Sequence, residues 1–321
     1  SFYSYDLDLV PVPFPKDSAI RHITSGMPLM NGPRHDDHRA ALLPYFHKKF
    51  ISRYYDVSVE MTERKIASWK IGDELDMRTE MQRLAIWLCT APMVGLDQQD
   101  GEAIGKQLER TMNLLLNPAA LLLPYNIPGL PFRALLKTAE EMERLTLKMI
   151  DRKKEQGLTG DDILSVMIRM HEEDPQSMSL HELVGHTGVI FRGGYNPNSM
   201  ALYWTLLLLS QHPNVLKKLT SDLNETSGGH VPTLEMLDKL PYLEAVIKEG
   251  MRLFPAGTWT GRLAMRDFQL DSHRLPKGTW IVMSPYITHR IPELYPDPYR
   301  FQPERWLSAH YSSYEFMPFS A

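Results

Sequence analysis

The spacing of apolar residues along the chain of 321 residues predicts helix over most of its length. Apolar positions recur at intervals of three and four, the periodicity of amphipathic helices, over three stretches at roughly 35–70, 75–95 and 99–116. A strongly charged amphipathic helix is predicted over 132–156, ending at Gly157, and a shorter helix over about 160–172. The pattern therefore favours a mainly helical fold.

A much longer helix is predicted in the middle of the chain, from Ser179 to about His212. Ser179 is followed three residues later by Glu182, which is the pattern of a capping box at a helix start. The apolar run Met200–Leu209 is interrupted only by Thr205, and it is shorter than the roughly 18 residues that a membrane-spanning helix needs. We therefore expect a buried helix inside a globular domain.

Strand-like alternation is confined to the last third of the chain. The segment "WTGRLAMRDFQLDSHRLPKGTWIVMSP" consists of short alternating stretches broken by Pro-Lys-Gly, which is typical of small β-hairpins. The expected fold class is mainly α with a small β region, organised as a single domain over residues 1–321.

Composition narrows the possible functions. The net charge is −4, from 35 Lys plus Arg and 39 Asp plus Glu, and this balance gives no indication of a nucleic-acid-binding surface. Cys89 is the only cysteine, so the chain forms no internal disulfide. Its apolar flanks, "LAIWLCTAPM", predict a small buried core residue. The first residues lack the basic start and apolar core of a secretory signal.

Three charged residues late in the chain have the spacing of a buried network. Glu249 and Arg252 stand three apart on a predicted helix that is otherwise apolar, so they share a face. About 50 residues later, Arg305 lies in the sequence Pro-Glu-Arg-Trp. A buried Glu–Arg pair needs partners for its remaining donors and acceptors, and a second arginine supplies them. The alternative is a solvated surface pair, which contributes little to stability.

This combination resembles the cytochrome P450 family of haem-thiolate enzymes. In that family a helical Glu-x-x-Arg pairs with the arginine of a downstream Pro-Glu-Arg-Phe-like stretch, and the three residues form a structural triad behind the haem. The resemblance assigns this structural role to Glu249, Arg252 and Arg305. It also implies the cytochrome P450 fold and a haem b cofactor with its iron.

Three further stretches carry the same resemblance. "NGPRHDDHRAALLPYF" resembles the helix whose histidine and arginine meet the haem propionates; these are His35 and Arg39, which share one helix face. The alternatives for this stretch are a surface charge cluster or a divalent-metal site. Arg262 matches a strand arginine that also reaches a propionate, a carboxylate suited to a bidentate guanidinium. Phe319 matches the first residue of the haem loop.

The match to the haem loop is partial. The family's thiolate cysteine is expected seven residues after Phe319, and the chain given has two residues there. Cys89 lies in a different motif and does not take its place. The resemblance therefore implies that the thiolate cysteine lies beyond Ala321 and that the chain is incomplete at both ends. No metal ligand is expected within residues 1–321.

The predicted central helix departs from the family pattern. When its Trp and His-Pro end is aligned with the family, Gly193 and Gly194 occupy positions where small residues let the backbone approach the oxygen site. Asn196 and Pro197 then stand where the family has an acid and an alcohol that deliver protons for splitting the O–O bond. These four residues are the candidate catalytic positions.

The replaced pair changes what this part of the helix can do. Asn196 forms hydrogen bonds but does not ionise. Pro197 has neither hydroxyl nor N–H, and its ring is expected to free the Gly193 carbonyl and kink the helix. That carbonyl would then hold a water, and Asn198 and Ser199 are candidates for rebuilding a proton relay. In the alternative interpretation, ordered water supplies the protons and the substitution only bends the helix.

Two enzyme activities and one binding role are consistent with the resemblance. The first is a monooxygenase that hydroxylates or oxidises an apolar small molecule with dioxygen and with electrons from a ferredoxin or flavoprotein reductase. The second is a peroxide-using or peroxide-rearranging enzyme, which needs no proton relay for dioxygen. The third is a catalytically silent relative that acts as a binding module. We expect a cytoplasmic monomer that binds no nucleic acid, with a membrane anchor before residue 1 left open.

The segment 117–131, "NPAALLLPYNIPGLP", is predicted to be an exposed apolar loop because it carries four prolines between two helices. In the resembling family these two helices form the lid over the substrate. The loop's leucines and its tyrosine are expected to contact the substrate or a membrane surface, and the alternative is packing on their own domain. They are Leu121, Leu122, Leu123 and Tyr125.

Overall fold

The structure is a computed structural model that describes residues 2–3, 14–15, 17–47, 50, 52–94, 98–158 and 162–319, without the side chains of 2–3, 90–94 and 98–102. The chain divides into two compact units. The first unit comprises residues 1–61, 86–195 and 262–279. The second comprises residues 62–85, 196–261 and 280–321.

Most of the described residues lie in α-helices, so the predicted mainly helical fold class is confirmed. In chain order these are α1 (Ala19–Thr24), α2 (Gly32–Leu42), α3 (Tyr55–Ala67), α4 (Met77–Val94), α5 (Gln98–Leu115), α6 (Pro118–Leu122), α7 (Pro131–Glu155), α8 (Ile163–Glu173), α9 (Leu180–Gln211), α10 (Pro213–Ser227), α11 (Leu234–Leu237), α12 (Pro241–Leu253), α13 (Pro285–Thr288) and α14 (Arg305–Ser308).

Among the described residues, short strands form two small sheets. They are β1 (Phe2–Tyr3), β2 (Thr260–Ala264), β3 (Phe268–Leu270), β4 (His273–Leu275) and β5 (Trp280–Met283). One sheet has the order β1–β2–β5, and β1 pairs with β2 in antiparallel register, Phe2 opposite Ala264. Strands β3 and β4 form an antiparallel hairpin with Gln269 opposite Arg274. Hairpin structure in the last third of the chain is therefore confirmed.

The first unit is built around α7, which packs against α1, α5, α6 and α8. Leu135, Met142 and Met149 follow one another at intervals of two helical turns, and all three are buried. Basic residues fill the last turn of α7, where they complement the negative end of the helix dipole. Gly157, with a φ of 87°, follows the helix in the left-handed conformation that glycine adopts most readily. The predicted end of this helix is confirmed.

The second unit centres on α12, which packs against α10, α13 and α14. Tyr242, Val246 and Leu253 form the apolar part of its buried face. The same face carries Glu249 and Arg252, whose side chains are 0% exposed. Burying a charge costs several kcal/mol unless it is paired and hydrogen-bonded. The helix therefore delivers two ionic groups to the interior for which the structure must provide partners.

Helix α9 begins and ends close to the predicted positions. The backbone N–H of Ser179 donates to Oε2 of Glu182 at 2.8 Å, and the N–H of Glu182 donates to Oγ of Ser179 at 3.3 Å, which is the expected capping box. The helix runs for 32 residues to Gln211. It continues through Pro197 without a break in its helical assignment.

Two segments differ from the simple helical prediction. The first amphipathic stretch is two helices, because α2 ends at Leu42 and a 3-10 segment containing Pro44 follows it. Proline has no N–H for the helical ladder, and it disfavours helical backbone in the residue before it. The predicted loop 117–131 contains the single-turn helix α6, capped by Asn117, whose Oδ1 accepts from the N–H of Ala119 at 2.9 Å.

The apolar side chains of this loop are exposed, as the sequence predicts. Leu122 is 78% exposed and Tyr125 is 59% exposed, while Leu121 and Leu123 are exposed to a lesser degree. The structure supplies no packing partner that covers them within the part of the chain it describes.

Candidate active site

The structure brings Glu249, Arg252 and Arg305 together around one buried carboxylate. Arg252 donates from Nε to Oε2 of Glu249 at 2.8 Å and from Nη2 to Oε1 at 2.9 Å. Arg305 donates from Nε to Oε1 at 3.1 Å. The backbone N–H of Gln302 and the indole of Trp306 add donors at 3.0 and 2.9 Å. The surrounding charge-assisted hydrogen bonds replace the water that the carboxylate loses on burial.

Arg252 uses all of its N–H donors. Besides the two bonds to Glu249, Nη1 donates to the carbonyl oxygens of His289 at 2.8 Å and Pro298 at 2.7 Å. Nη2 also donates to the carbonyl oxygen of Arg300 at 3.2 Å. These three carbonyls belong to the segment between α13 and α14, so one guanidinium ties that segment to α12.

His289 extends this network towards the last described residues. Its Nδ1 donates to the carbonyl oxygen of Arg252 at 3.2 Å, and its Nε2 accepts from the N–H of Met317 at 3.0 Å. The ring is neutral, since burial lowers the pKa of His289 to about 4. Met317 stands two residues before Phe319. The network therefore reaches the segment in which the sequence places the start of the haem loop.

His35 and Arg39 lie one turn apart on α2, as their spacing predicts. Nδ1 of His35 is 2.9 Å from Oδ1 of Asp36, and the His35 side chain keeps 28% exposure. The Arg39 side chain is exposed, and no carboxylate pairs with it among the residues that the structure describes. Arg39 is therefore open to an anionic partner.

Arg262 and Phe319 are the remaining predicted cofactor contacts. Arg262 lies in strand β2 and is half-buried. Phe319 follows α14 and is 60% exposed. Within the first unit, Arg262 joins His35 and Arg39 as a third side chain that can donate to a carboxylate.

A pair of buried histidines, which the sequence did not single out, fastens α2 to α9. The N–H of Met27 donates to Nδ1 of His186 at 3.3 Å, so His186 carries its proton on Nε2. That nitrogen lies 2.7 Å from Nδ1 of His38, whose Nε2 donates to the carbonyl oxygen of Ser177 at 2.8 Å. All four ring nitrogens are thus hydrogen-bonded. Burial, with His38 adjacent, lowers the pKa of His186 to about 4.

An ion pair lies one helical turn from the histidine pair. Arg34 donates from Nε and Nη2 to the two carboxylate oxygens of Glu182. Arg34 and His38 are four apart on α2, and Glu182 and His186 are four apart on α9. The equal spacing of four residues on α2 and on α9 is the only sequence signal for these two contacts. It becomes informative only once the structure shows that α2 packs against α9.

The histidine geometry bears on the metal alternative for the "RHDDHR" stretch. Both ring nitrogens of His38 are occupied by His186 and Ser177, so His38 does not share a ligand set with His35. In the described part of the chain, no group of three or more His, Cys, Asp or Glu side chains is arranged to hold a metal ion. The stretch therefore divides into a buried hydrogen-bonding face and an exposed face of mixed charge.

The two adjacent glycines of α9, Gly193 and Gly194, have different surroundings. A Cβ added to Gly194 would lie 2.1 Å from Sγ of Cys89 and 2.8 Å from its Cβ, so Gly194 allows α9 to pack directly on α4. A Cβ added to Gly193 would meet no described atom within 4 Å outside the helix's own backbone. Cys89 is buried, as its flanks predict. Only Gly193 faces open space.

Asn196 and Pro197 occupy the next turn of α9. Asn196 is exposed although it stands in the middle of the longest helix. Ser199 is buried, and its hydroxyl donates to the carbonyl oxygen of Asn196 at 2.9 Å. Pro197 has no N–H to donate to the carbonyl of Gly193, so that carbonyl lacks its usual partner within the helix.

We expect the free energy of unfolding to fall as the pH is lowered from about 6.5 towards 4. The pKa values of His186 and His289 are about 4 in the folded protein, below the ordinary value of 6.5. Between these values the unfolded chain binds protons that the folded chain does not. The contribution is therefore fully present above pH 6.5 and is lost as the pH falls through 4. Urea unfolding at a series of pH values measures it.

Substitution identifies the source of this pH dependence. His186→Gln should reduce the slope of the unfolding free energy against pH by on the order of 1 kcal/mol per pH unit. The exposed His230 is the matched control, and His230→Gln should keep the slope of the wild type. Equal slopes in all three proteins would contradict the assignment to the buried ring.

A family model described as Cytochrome P450 matches residues 11–321. "Putative cytochrome P450 139" of Mycobacterium tuberculosis is 28% identical over 300 residues, covering 90% of this chain and 69% of that protein. Cyclooctat-9-en-7-ol 5-monooxygenase of Streptomyces melanosporofaciens is 27% identical over 319 residues, with coverages of 95% and 68%. Cytokinin hydroxylase of Arabidopsis thaliana is 28% identical over 321 residues, with coverages of 93% and 61%.

A solved structure shares the fold. The chain in "Retinoic acid bound cyanobacterial CYP120A1" superposes with a TM-score of 0.82 at 22% identity, covering 94% of this chain and 69% of that one. No described helix of this protein is both long enough and apolar enough to cross a membrane. Since the family model matches nearly the whole chain, the chain belongs to the cytochrome P450 family of haem-dependent oxidoreductases.

Proposed function

We propose that this protein is a monooxygenase that hydroxylates or oxidises an apolar small molecule, using dioxygen and electrons from a partner protein. The observation that carries this proposal is the buried Glu249–Arg252–Arg305 network in a chain of this family. Two of the relatives named above, a monooxygenase and a hydroxylase, support the same class of reaction.

The residues present suit the propionate side of haem b. Propionates are carboxylates, and guanidinium and imidazole groups form charge-assisted hydrogen bonds with them. Arg39, Arg262 and His35 provide these groups on α2 and β2 of one unit. Beside Gly193, the absence of any described atom within 4 Å of an added Cβ leaves room for a bound group against α9.

Cys89 does not serve as the thiolate ligand. Burial raises the pKa of the Cys89 thiol to about 12, so it stays protonated at physiological pH. Its Sγ is also packed against Gly194 and close to the carbonyl of Ile190. Cys89 therefore lacks the ionised, accessible sulfur that a thiolate ligand requires. Haem with such a ligand supplies the oxidising chemistry when bound, and the protein controls substrate access and protons.

We assign the delivery of protons to water held on α9. Asn196 offers an amide that donates and accepts hydrogen bonds without ionising. The Gly193 carbonyl has a lone pair that the proline leaves unused. The Ser199 hydroxyl donates to the Asn196 carbonyl and keeps its own lone pairs for accepting from water. Together these groups can hold an ordered water one turn from the open face at Gly193.

A second candidate is an enzyme that uses or rearranges a peroxide. The observation that favours it is the replacement of the acid–alcohol pair by Asn196 and Pro197. A substrate that already contains an O–O bond requires no relay for protonating dioxygen. Side-by-side turnover assays with dioxygen plus reductant, and with peroxide alone, separate this candidate from the first.

The first test of the proposed function is the absorption spectrum of the protein produced from its complete coding sequence, reduced and under carbon monoxide. We expect the strongly red-shifted haem band that thiolate ligation produces. Folded protein without that band would reject the enzyme proposal and favour the silent binding module.

Restoring the acid–alcohol pair should improve the coupling of dioxygen consumption to product formation. The variant Asn196→Asp/Pro197→Thr adds one ionisable group and one hydroxyl at the positions where the family carries them. We expect severalfold more product per dioxygen consumed and less released peroxide, measured with an oxygen electrode and a peroxide assay. The isosteric control Asn224→Asp, at an exposed position on α10, should leave coupling unchanged. Unchanged coupling in the double variant would contradict this expectation and would mean that the water held on α9 delivers protons as efficiently as the acid–alcohol pair.

We further propose a ferredoxin or flavoprotein reductase as electron donor, a cytoplasmic location and a monomeric state. The exposed leucines and Tyr125 of the segment 117–131 are proposed to contact substrate on its way to the pocket. Their exposure supports a contact surface, since several large apolar side chains of one loop face outward together.

A further inference from the structure

Three successive residues, Glu315, Phe316 and Met317, form the lead-in segment, which runs into the predicted haem loop. Side chains from an earlier part of the chain contact each of them. Tyr295 donates from its hydroxyl to the carbonyl oxygen of Glu315 at 2.9 Å. The Phe316 ring lies against the ring of His289 with centroids 5.4 Å apart. Nε2 of His289 accepts from the N–H of Met317 at 3.0 Å. Two buried side chains therefore hold three consecutive residues.

The lead-in segment has no regular secondary structure to hold it. It follows a turn in which the N–H of Phe316 donates to the carbonyl oxygen of Ser312 at 3.0 Å. In the part of the chain that the structure describes, the N–H of Met317 donates to no acceptor other than the imidazole. Irregular backbone opens at a low cost in free energy unless other contacts hold it. The side-chain contacts therefore set the position of this segment.

The His289 ring is fixed from its other side by α12. Its Nδ1 donates to the carbonyl oxygen of Arg252 at 3.2 Å, which leaves Nε2 of the neutral ring as an acceptor. Protonation would place a hydrogen on Nε2. The ring would then repel the N–H of Met317 instead of accepting from it. The contact with the lead-in segment therefore requires the neutral ring.

The groups around this ring oppose its protonation. Arg252 and Glu249 act on it from α12, and Arg290 follows it in the sequence. The Tyr295 ring stands edge-on to it with centroids 6.1 Å apart, and the lead-in segment presents the phenyl ring of Phe316. Burial, aided by the two cations, lowers the pKa of the histidine to about 4. At neutral pH its Nε2 is therefore free to accept.

We propose that His289 is a positioning residue that holds the lead-in segment, and with it the haem loop, only while its Nε2 is unprotonated. This inference deepens the proposed function and rests on it, because the resemblance to the family makes Phe319 the start of the haem loop. The loop carries the thiolate cysteine in that family. A fixed lead-in segment would keep that cysteine in place, and acid would release it.

The direction of the proton dependence follows from the two states of this contact. In the closed state the pKa of His289 is about 4, and in the open, hydrated state it returns towards the ordinary value of 6.5. Between these values the open state binds a proton that the closed state does not. The free energy of opening is therefore constant above pH 6.5 and falls as the pH is lowered towards 4. The opening constant should rise by up to about tenfold per pH unit in this window.

Hydrogen exchange of the holoprotein produced from the complete coding sequence tests the proposal. Mass spectrometry measures the protection factor of the peptide that contains Met317, relative to the same peptide free in solution, between pH 7.5 and pH 5. In the wild type we expect a fall of roughly tenfold. His289→Gln keeps an acceptor that does not ionise, so its protection should persist over the whole range. His289→Phe fills the space without an acceptor, and its protection should be roughly ten- to hundredfold lower throughout.

A matched control and a spectrum make the result specific. His310 is exposed in the same unit, and His310→Gln should show the pH dependence of the wild type. At pH 7.5 the fraction of bound haem that gives the red-shifted carbon monoxide band should fall in His289→Phe and be kept in His289→Gln. If His289→Phe does not fold, the comparison of the wild type with His289→Gln still decides.

Three results would overturn the proposal. They are a wild-type protection factor that does not change with pH, an equal fall in the wild type and in His289→Gln, and protection of this peptide equal to that of the buried helix α7. The last result would mean that the whole protein opens and not this segment. Failure of the monooxygenase proposal is distinguishable, since it is detected by a missing red-shifted band in the wild type, whereas the exchange measurement requires no turnover.

Discussion

Replacing Glu249 with glutamine is expected to destabilise the protein by about 3–5 kcal/mol, the usual cost of removing one partner of a buried ion pair. The carboxylate is 0% exposed and accepts from Arg252, Arg305 and two further donors. A neutral amide would leave two buried guanidinium groups without a counter-charge. Because the same network ties α12 to the segment ending at Met317, we also expect Glu249→Gln to abolish haem incorporation. Urea unfolding and the haem-to-protein ratio measure these two effects.

The helix offers a matched control for this substitution. Glu244 lies on α12, pairs with Lys248 at 2.6 Å and is 65% exposed, so Glu244→Gln should change stability by less than about 1 kcal/mol. The two arginines should also differ. Arg252→Gln removes five hydrogen bonds and should cost more than Arg305→Gln, which removes one bond to Glu249 and one to a carbonyl. A stable Glu249→Gln holoprotein would count against the network's proposed role.

Gly194→Ala is expected to destabilise the protein by about 1–3 kcal/mol or more, because the added methyl overpacks the contact between α9 and α4. The new Cβ would lie 2.1 Å from Sγ of Cys89 and 2.8 Å from its Cβ. Rotating the thiol relieves only the first contact, so the helices themselves must move apart. The measurement is the midpoint of urea unfolding, with the slope of the transition checked for constancy.

Gly193→Ala is a control that distinguishes the effect of steric crowding from the effect of helix propensity. Gly193→Ala meets no described atom, and alanine favours helix over glycine by about 1 kcal/mol, so this variant should be as stable as the wild type or more stable. Cys89→Ala combined with Gly194→Ala removes the Sγ contact and should recover part of the lost stability. If Gly193→Ala and Gly194→Ala destabilise equally, the contact with Cys89 is not the cause.

Local patterns were sufficient for most of the helical framework. The capping box at Ser179, the periodicity of α7 and its end at Gly157 depend on residues within a few positions of one another. The apolar pattern did not predict the break after α2, although Pro44 causes it. Apolar residues keep their spacing through the proline, whereas the α-helical hydrogen bonds stop there. The helix α6 was missed since a single turn leaves too short a pattern among four prolines.

Local sequence patterns predicted the candidate site only in part. Glu249 and Arg252 share a helix face by spacing, and Arg305 was assigned through a motif. The indole of Trp306 and the carbonyls that saturate Arg252 had no signal, since backbone carbonyls carry no sequence identity.

The sequence by itself determined the family, the helical framework and the identity of the ionic and glycine positions, because periodicity, capping and motif spacing are local properties. Only the tertiary structure decided which of those residues meet. His38 and His186 are 148 positions apart, and Cys89 and Gly194 are 105 apart, so their pairing depends on how helices pack. Burial likewise depends on the whole fold, and burial is what makes His186 and His289 chemically distinct from the exposed histidines of the same chain.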